Sequence, residues 1–223
     1  MSKVNSREVF EREYFEDSHF SQFGGYDLLT RLNSWRTEKY RKFILRHVES
    51  GQRTLLDIGC GYGHFLNILK NDFNVHGMDI SHHAIKVSKY RVKCACLQAD
   101  IVENGIPYSK KFDVITAISV LEHLHDVNKA LKNIHEHLND NGLFCFEIPT
   151  ISNKFSRIIY NLFFSWDPTH VTILSVEEVE KLAISNGFTK LAIYSSFFPI
   201  FTKNKKLVEN FSFIFAIFRK KPK

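Results

Sequence analysis

The spacing of apolar residues changes character near residue 53. Before that point it is helical, most clearly over residues 27–48, where apolar side chains form a rough stripe along one face. From residue 54 onward, short apolar runs alternate with amphipathic stretches. This alternation predicts βαβ units, in which a mainly parallel sheet carries helices on both faces.

The predicted strands cover residues 54–58, 75–80, 92–97, 112–118 and 143–148. Helices are expected between them, at residues 64–71, 81–90 and 126–138. Asn141 and Gly142 are a stop signal for the third of these helices, and Pro149 ends the fifth strand. Residues 150–174 are aromatic and irregular in pattern.

The end of the chain predicts one more helix and two more strands. Ser175 and Glu178 form a capping-box pair at the start of a helix over residues 175–186. Strands follow at about residues 188–198 and 210–219. Because the segment that joins them is too short for a helical crossover, these two strands should pair antiparallel.

The composition is that of an ordinary globular protein. The 223 residues are 44% hydrophobic and 24% charged, with a formal net charge of +6. Basic runs near residues 203–206 and 219–223 favour acidic partners, but no arginine- and aromatic-rich recognition motif accompanies them, so nucleic-acid binding is disfavoured. The cysteines form no C-x-x-C pair, the N-terminus is too polar for a signal peptide, and no apolar run is long enough to cross a bilayer. A reduced, cytoplasmic protein is expected.

The strongest chemical signal is the sequence LLDIGCGYG at residues 55–63. Its three alternating glycines, Gly59, Gly61 and Gly63, allow the backbone to turn sharply and to approach a ligand closely. Asp57 precedes them, and Asp79 ends the second strand, where its carboxylate is placed to accept both hydroxyls of a ribose. These groups meet at the carboxyl ends of the strands, which form the ligand-binding edge of an open α/β sheet.

A dinucleotide-binding loop with the spacing G-x-G-x-x-G is the main alternative for this segment. The spacing here is G-x-G-x-G, and His64 stands where a third glycine of the dinucleotide motif would be. A nicotinamide dehydrogenase and a non-catalytic binding protein on the same fold are the two alternative functions.

The LLDIGCGYG segment resembles motif I of class I S-adenosylmethionine-dependent methyltransferases, and the order of elements over residues 54–148 is similar to theirs. The resemblance implies a Rossmann-like α/β fold whose seven-stranded, mostly parallel sheet has the order 3-2-1-4-5-7-6 and an antiparallel last strand. It implies S-adenosylmethionine as cofactor. The residues expected to bind it are Asp57, Gly59, Cys60, Gly61 and Gly63 at the methionine end and sugar, Asp79 and Ile80 at the ribose, Asp100 and Ile101 at the adenine, and Val120 beside the cofactor.

The chain is also similar, more narrowly, to the methyltransferases of ubiquinone biosynthesis. The sequence NSWR at residues 33–36 resembles an N-P-L-R segment of that group, which implies that Arg36 pairs with the cofactor carboxylate. The loop VLEHLHD resembles that group's E-x-x-E-H-containing loop, but Ser119 stands in place of the first glutamate, so no metal site is predicted. Tyr14 is expected near the cofactor sulfonium, where a cation–π contact contributes about 1–2 kcal/mol when desolvated.

A small molecule methylated on a hydroxyl oxygen is the expected acceptor, from the narrower resemblance and from the candidate bases. The candidate catalytic residues are His170, His123 and Glu122, and each has an alternative structural role as a cap or hydrogen-bonding partner. A nitrogen or macromolecular acceptor stays open.

The resemblance also implies a division of the chain. Residues 1–50 are expected to form an N-terminal helical lid, and residues 51–223 the methyltransferase domain, with an acceptor-covering insertion at about residues 150–174. Aromatic residues of both segments, among them Phe20 and Trp166, are expected to belong to the core or to the lid.

Overall fold

A computed structural model of the protein describes residues 9–16, 25–165, 167–196 and 201–222. Its strands are β1 (Thr54–Ile58), β2 (Asn74–Asp79), β3 (Ala95–Gln98), β4 (Phe112–Ile118), β5 (Leu138–Pro149), β6 (Phe188–Ser195) and β7 (Phe213–Lys220). They form one sheet in the order β3-β2-β1-β4-β5-β7-β6. The first five are parallel, and β7 is antiparallel to β5 and β6. The predicted fold class and strand order are confirmed.

Helices cover both faces of this sheet. They are α1 (Arg12–Glu16), α2 (Tyr26–Leu32), α3 (Ser34–Leu45), α4 (His64–Leu69), α5 (His82–Val92), α6 (Val127–His137), α7 (Lys154–Phe163), α8 (Val176–Ser185) and α9 (Lys205–Asn210). A 3₁₀ turn, Leu121–His123, follows β4. Among the described helices, none combines the length and the apolarity needed to cross a bilayer.

Side chains of the central strands alternate between two hydrophobic cores. In β1, Leu55 packs with residues of α3, α4 and α5, whereas Leu56 packs with residues of α6 and α8. Both leucines are fully buried. Because the sheet is covered on both faces, its strands are nearly continuous apolar runs, and polar side chains gather at the strand ends.

Two predicted helices differ from those in the structure, and in both cases the difference involves an asparagine. The helix expected over residues 27–48 is divided into α2 and α3 at Asn33, whose side-chain amide donates to a carbonyl of the preceding turn. Asn141 and Gly142 do not stop α6, which ends at His137. They lie inside β5, where Asn141 has a φ of 61° and the register with β4 shifts. The Asn-Gly pair is therefore an irregularity within a strand.

Helices also form in two segments where no helix was predicted, the irregular stretch at residues 150–174 and the segment between the last two strands. In the insertion, α7 begins at a capping box between Asn153 and Ser156. Between β6 and β7, α9 begins at Asn204, whose side chain accepts a hydrogen bond from the backbone of Leu207. The two strands still pair antiparallel, as predicted. Phe20 and Trp166 lie outside the described residues.

Candidate active site

A cavity of about 400 Å³ lies at the carboxyl ends of β1, β2 and β4, where the sequence places the glycine loop. Its volume lies within the usual range for a small-molecule site. All of the predicted site residues except Gly63 line it. They are Tyr14, Arg36, Asp57, Gly59, Cys60, Gly61, Asp79, Ile80, Asp100, Ile101, Val120, Glu122, His123 and His170. The structure therefore brings residues from distant parts of the sequence into one site.

Gly59 and Gly61 shape the loop that follows β1. Their φ angles are +65° and +49°, in the left-handed region that residues with a Cβ rarely adopt. A Cβ on Gly59 would lie 2.4 Å from Val120 Cγ2, and a Cβ on Gly61 would lie 2.4 Å from the hydroxyl oxygen of Tyr26. The loop is held so closely between the end of β4 and α2 that only glycine fits at these two positions.

Gly63 lies outside the cavity wall, on the far side of the same loop. It precedes α4, and a Cβ there would meet Val92 Cγ2 at 2.7 Å and Ser88 Oγ at 2.8 Å. Both of those residues belong to α5. The structure thus places Gly63 where it allows α4 to pack closely against α5.

Asp79 joins the glycine loop to α5. One carboxylate oxygen accepts a hydrogen bond from the backbone nitrogen of Gly61 at 2.8 Å, and the other accepts one from that of Ser81 at 2.9 Å. Burial raises the pKa of Asp79 to about 6, although these backbone hydrogen bonds oppose the shift. The cap of α5 is the side chain of Ser81. Asp79 is therefore a loop-shaping acid that faces the cavity.

Asp57 lies at the base of the cavity with almost no exposed surface. Burial raises its pKa to about 7, although the Thr116 hydroxyl opposes the shift by donating a hydrogen bond at 2.6 Å. The negative charge of the nearby Asp79 raises the pKa of Asp57 further. With two buried acids, this end of the cavity favours ligands that carry positive charge or hydrogen-bond donors.

Asp100 follows β3, where it starts a turn and also lines the cavity. Its Oδ1 accepts hydrogen bonds from the backbone nitrogens of Val102 at 2.8 Å and Glu103 at 3.2 Å. An acid that starts a turn in this way is common after a strand. Since Asp100 and Ile101 also line the cavity, the turn fixes the acid at its wall.

The cover over the glycine loop comes from α1 and α2. Phe15, Tyr26 and Tyr62 pack together, with ring centres 4.9–5.1 Å apart. At the start of α2, Asp27 lies 2.9 Å from His64 Nε2. It also forms an ion pair with Arg91 of α5, at 2.5 Å. The N-terminal helices are thus attached to the loop region by apolar and charged contacts.

Arg36 of α3 lies beside Glu147 of β5. Its Nε is 3.4 Å from a carboxylate oxygen of Glu147, and its guanidinium carbon lies 5.0 Å from the ring centre of Phe213. Glu147 also accepts hydrogen bonds from the hydroxyls of Tyr40 and Ser119. Arg36 therefore has a counter-charge from the protein itself, and its pairing with a cofactor carboxylate stays a prediction.

The hydrogen-bonding groups around His123, in the turn after β4, favour one tautomer of its imidazole. Its Nδ1 lies 3.2 Å from the carbonyl oxygen of Thr169, which only accepts, so Nδ1 carries the hydrogen. The Thr169 hydroxyl lies 2.9 Å from the same nitrogen and donates its own hydrogen to Asp167. Nε2 thus keeps its lone pair, and it has no hydrogen bond within the described part of the chain. Burial, helped by the nearby His170, lowers the pKa of His123 to about 4, so the imidazole is neutral at pH 7.

His170 lies against His123, with ring centres 5.0 Å apart. The hydroxyl of Tyr160 is 3.0 Å from its Nδ1, and a carboxylate oxygen of Asp167 is 3.8 Å from its Nε2. Burial lowers the pKa of His170, although Asp167 opposes the shift. The Tyr14 hydroxyl donates to Asp167 at 3.4 Å, which links α1 to the insertion. Both nitrogens of His170 therefore face protein groups.

Glu122 completes this end of the cavity. It is 1% exposed, and its Oε2 has no hydrogen-bond partner among the described residues. Burial raises its pKa well above the usual range, and the acids Glu147 and Asp167 add to the rise. Potential ligand atoms of Glu122, His123 and His170 all lie within 4.8 Å of one another. This spacing is compatible with a metal ion, and the absence of a metal site stays a prediction.

Several residues of the site were missed by the sequence analysis. Tyr26, Asp167 and Phe213 line the cavity, and Glu147 balances the charge of Arg36. Glu147 had a usable signal, since it is an acid within the apolar run LFCFEIP. Asp167 stands three residues before His170 in the sequence DPTH, and this spacing is a signal from which the pair could have been predicted.

Comparisons with known proteins agree with this geometry. A family model described as a methyltransferase domain matches residues 32–193. The ubiquinone biosynthesis O-methyltransferase of Rickettsia typhi is 27% identical over 178 residues, which cover 75% of this chain and 72% of the relative. The structure of an S-adenosylmethionine-dependent methyltransferase from Clostridium acetobutylicum is similar, with a TM-score of 0.68 at 17% identity, covering 91% of this chain and 98% of that one. Magnesium protoporphyrin IX methyltransferase from Synechocystis, solved with bound S-adenosylhomocysteine, has a TM-score of 0.61 at 11% identity, covering 83% and 82%.

Proposed function

This chain belongs to the methyltransferase-domain family and is an S-adenosylmethionine-dependent methyltransferase, and we propose that it methylates a hydroxyl oxygen of a small molecule. The observation that carries the proposal is the position of His123, whose Nδ1 faces Thr169 and whose ring lies in the cavity beside Glu122 and His170. A neutral imidazole close to a bound hydroxyl group can accept its proton, and because burial lowers the pKa of His123 to about 4, it is a weaker base than an ordinary histidine.

The residues of the cavity fit S-adenosylmethionine. Gly59 and Gly61 present bare backbone at the wall, where a Cβ would clash. The buried carboxyl groups of Asp57 and Asp79 offer hydrogen-bond acceptors and negative charge, which suit hydroxyl groups and a sulfonium. When bound, the cofactor supplies a methyl group that its positive sulfur has already activated. We assign the ribose hydroxyls to Asp79 and the adenine to Asp100.

His123 is the base in this proposal. The proton of the acceptor hydroxyl moves to His123 Nε2, while Nδ1–H keeps its hydrogen bond to Thr169. Burial disfavours the ionised form of Asp167, but hydrogen bonds from Thr169 outweigh it and lower the Asp167 pKa. The resulting carboxylate stabilises the imidazolium through Thr169. His170, with both nitrogens facing protein groups, is assigned a positioning role.

Positioning of the acceptor contributes more than proton transfer. Holding a nucleophile in line contributes roughly 7–11 kcal/mol. A general base adds about 10²–10⁴-fold, or about 3–5 kcal/mol. Loss of His123 is therefore expected to slow turnover without abolishing it.

The acceptor is enclosed, in this proposal, by a lid of two segments. Phe10 and Tyr14 line the cavity from the N-terminal segment, and Phe164 and Asp167 line it from the insertion. The two segments are linked by the Tyr14–Asp167 hydrogen bond. An enclosed, partly aromatic wall favours a small acceptor over an exposed site on a macromolecule. The O-methyltransferase name of the Rickettsia relative supports oxygen as the accepting atom.

Labelled methyl transfer to a panel of phenols, alcohols and primary amines tests the proposal. We expect O-methylated products, formed more slowly by His123→Ala at unchanged affinity for S-adenosylhomocysteine. Methylation confined to the amines would overturn the oxygen assignment. Binding of S-adenosylhomocysteine with no transfer to the panel or to cell extract would favour a non-catalytic binding protein.

A further inference from the structure

Three of the four cysteines of the chain lie close together between the glycine loop and β3. The Sγ atoms of Cys94 and Cys96 are 3.5 Å apart. The Sγ atoms of Cys60 and Cys96 each lie 2.9 Å from the point that a Cβ on Gly77 would occupy, so these two sulfurs meet over this glycine of β2. We call Cys60, Cys94 and Cys96 the thiol cluster.

The thiol cluster leads from the protein surface to the cavity. Cys94 is partly exposed just before β3, whereas Cys96 is fully buried in that strand. Cys60 is 5% exposed and lines the cavity. A small oxidant can therefore reach Cys94 from solvent, and Cys96 is the thiol within reach of Cys94.

The backbone before β3 brings Cys94 and Cys96 together. Lys93, which ends α5, has a φ of 58°, and Cys94 follows it in a bend. Side chains two residues apart at a strand point to the same face, so both sulfurs lie on one side of β3. An S–S bond is about 2.05 Å long, so closing the pair requires a movement of about 1.5 Å, which rotation of the two side chains can supply.

The surroundings of Cys96 favour its thiolate form. Hydrogen bonds from Cys60 and Cys94 lower the pKa of the Cys96 thiol, and the Ser88 hydroxyl, 3.3 Å away, lowers it further. Burial opposes this shift, and the positive charge of Lys89 supports it. A thiolate is the form of cysteine that attacks an oxidised sulfur. Cys96 is therefore suited to react with an oxidised Cys94.

We propose that Cys94 and Cys96 are a site of reversible oxidation, at which hydrogen peroxide converts the two thiols into a disulfide. In the first step the Cys94 sulfur attacks the peroxide: an S–O bond forms, the O–O bond breaks, and the leaving hydroxide takes the thiol proton to become water. In the second step the Cys96 sulfur attacks this sulfenic acid: the S–S bond forms, the S–O bond breaks, and the leaving hydroxide takes a proton to become a second water. The thiols are oxidised and the peroxide is reduced.

The disulfide would alter the support of the glycine loop. Ser88 Oγ lies 3.3 Å from Cys96 Sγ and 3.9 Å from Cys60 Sγ, so it joins the two sulfurs. A movement of Cys96 Sγ toward Cys94 lengthens its contacts with Ser88 and Cys60. Because Cys60 lines the cavity, we expect the affinity for S-adenosylhomocysteine to fall about two- to tenfold, as for the loss of an ordinary hydrogen bond. This effect is independent of which atom the enzyme methylates.

Peptide mapping by mass spectrometry tests the oxidation. The reduced full chain is treated with hydrogen peroxide, its free thiols are alkylated, and it is digested with trypsin. Cleavage after Lys93 and Lys110 places Cys94 and Cys96 in one peptide, apart from Cys60 and Cys145. We expect the peptide of residues 94–110 to be unalkylated and two hydrogen masses lighter, with Cys60 and Cys145 alkylated. Dithiothreitol should reverse the change.

Calorimetry with S-adenosylhomocysteine tests the effect on the cofactor site. Cys94→Ser and Cys94→Ala should bind as the reduced wild type does and should keep that affinity after peroxide. Unchanged melting temperatures show that both variants are folded. Cys145→Ala is the matched control, because Cys145 is fully buried in β5 and lies outside the thiol cluster. It should lose affinity after peroxide as the wild type does.

Full alkylation of the 94–110 peptide after peroxide treatment would overturn the proposal. Oxygen added to Cys94 without loss of alkylation at Cys96 would overturn it too. A disulfide from Cys60 to Cys96, or between two chains, would also contradict it, since a different pair would then be oxidised. A disulfide between Cys94 and Cys96 that leaves the affinity for S-adenosylhomocysteine unchanged would refute the link to the glycine loop.

Discussion

The Asp79 carboxylate lies 2.8 Å from the backbone nitrogen of Gly61, so the acid that ends β2 holds the loop that follows β1. Its second oxygen accepts from the backbone nitrogen of Ser81, at the start of α5. One side chain thus fixes the loop and the neighbouring helix and also lines the cavity. Asp79 therefore determines the shape of the cavity wall as well as its charge.

Asp79→Asn should weaken the binding of S-adenosylhomocysteine by about tenfold or more, since a hydrogen bond to a charged group contributes about 1.5–3 kcal/mol. The amide replaces one accepting oxygen with a donor, so it cannot accept hydrogen bonds from both backbone nitrogens. Isothermal titration calorimetry measures the change. Asp140→Asn is the control, because Asp140 has a 66% exposed side chain far from the loop. Equal affinities for Asp79→Asn and the wild type would contradict this role.

Gly61→Ala should weaken cofactor binding because its Cβ would meet the Tyr26 hydroxyl oxygen at 2.4 Å. Removing that hydroxyl relieves part of the clash, so adding Tyr26→Phe should restore part of the lost affinity. The positive φ of Gly61 still costs about 1 kcal/mol for alanine, so the rescue is incomplete. A double-mutant cycle on the affinity for S-adenosylhomocysteine measures the coupling. Additive effects of the two substitutions would show that Tyr26 does not lie over the loop.

His123→Ala should lower kcat by about 10²–10⁴-fold while leaving cofactor affinity unchanged. His170→Ala should have a smaller effect, because His170 is assigned to positioning. In the wild type saturated with S-adenosylmethionine, so that Asp57 and Asp79 no longer titrate in an empty site, kcat/KM for the acceptor should rise with pH through about 4, the lowered pKa of His123, and stay level from there to neutral pH. This follows because only the neutral imidazole accepts a proton. An acid limb centred on the ordinary histidine pKa would indicate an exposed histidine as the base.

Asp57→Asn should raise stability most at alkaline pH. The pKa of Asp57 is about 7 in the folded protein against 3.8 for the free side chain, so the folded state binds the proton more tightly. The stability contributed by this group is complete below pH 3.8 and is lost as pH rises through about 7. The amide of the variant does not ionise, so the variant does not lose stability over this pH range. Its oxygen can still accept a hydrogen bond from the Thr116 hydroxyl. The difference in free energy of unfolding, variant minus wild type, should therefore grow by about 2–3 kcal/mol between pH 5 and pH 8.

Urea unfolding at those two pH values measures that difference. Asp140→Asn again serves as the control, and its difference from the wild type should not change with pH. A difference for Asp57→Asn that shrinks with rising pH would mean that the folded protein stabilises the charged carboxylate.

The fold and the position of the glycine loop could be predicted because their signals are local. β1 and β4 have the predicted bounds, since each is an apolar run with clear breaks at its ends. The loop residues Gly59 and Gly61 follow β1 directly, and the carboxyl edge of a parallel sheet gathers Asp79 and Asp100 beside them. In each of these cases the spacing of residues along the chain was sufficient to predict where they lie in the fold.

Other parts of the site depend on contacts between residues far apart in the sequence. Tyr26 lies over Gly61, and Asp167 lies beside Tyr14, yet no sequence motif contains either pair. α7 was not predicted, although the apolar side chains of residues 154–163 recur at helical spacing on one side, so this helix had a usable signal in the sequence. Asn141 and Gly142 look like a helix stop, but strand pairing with β4 continues across them and places them inside β5.

The most direct test is transfer of a tritiated methyl group from S-adenosylmethionine to cell extract that is then separated into small-molecule, protein and nucleic-acid fractions. The wild type should label the small-molecule fraction, in a product whose methyl group is bonded to oxygen, and His123→Ala should label the same product more slowly. Label in the protein or nucleic-acid fraction would contradict a small-molecule acceptor. No label in any fraction, from a protein that binds S-adenosylhomocysteine in calorimetry, would contradict catalysis itself.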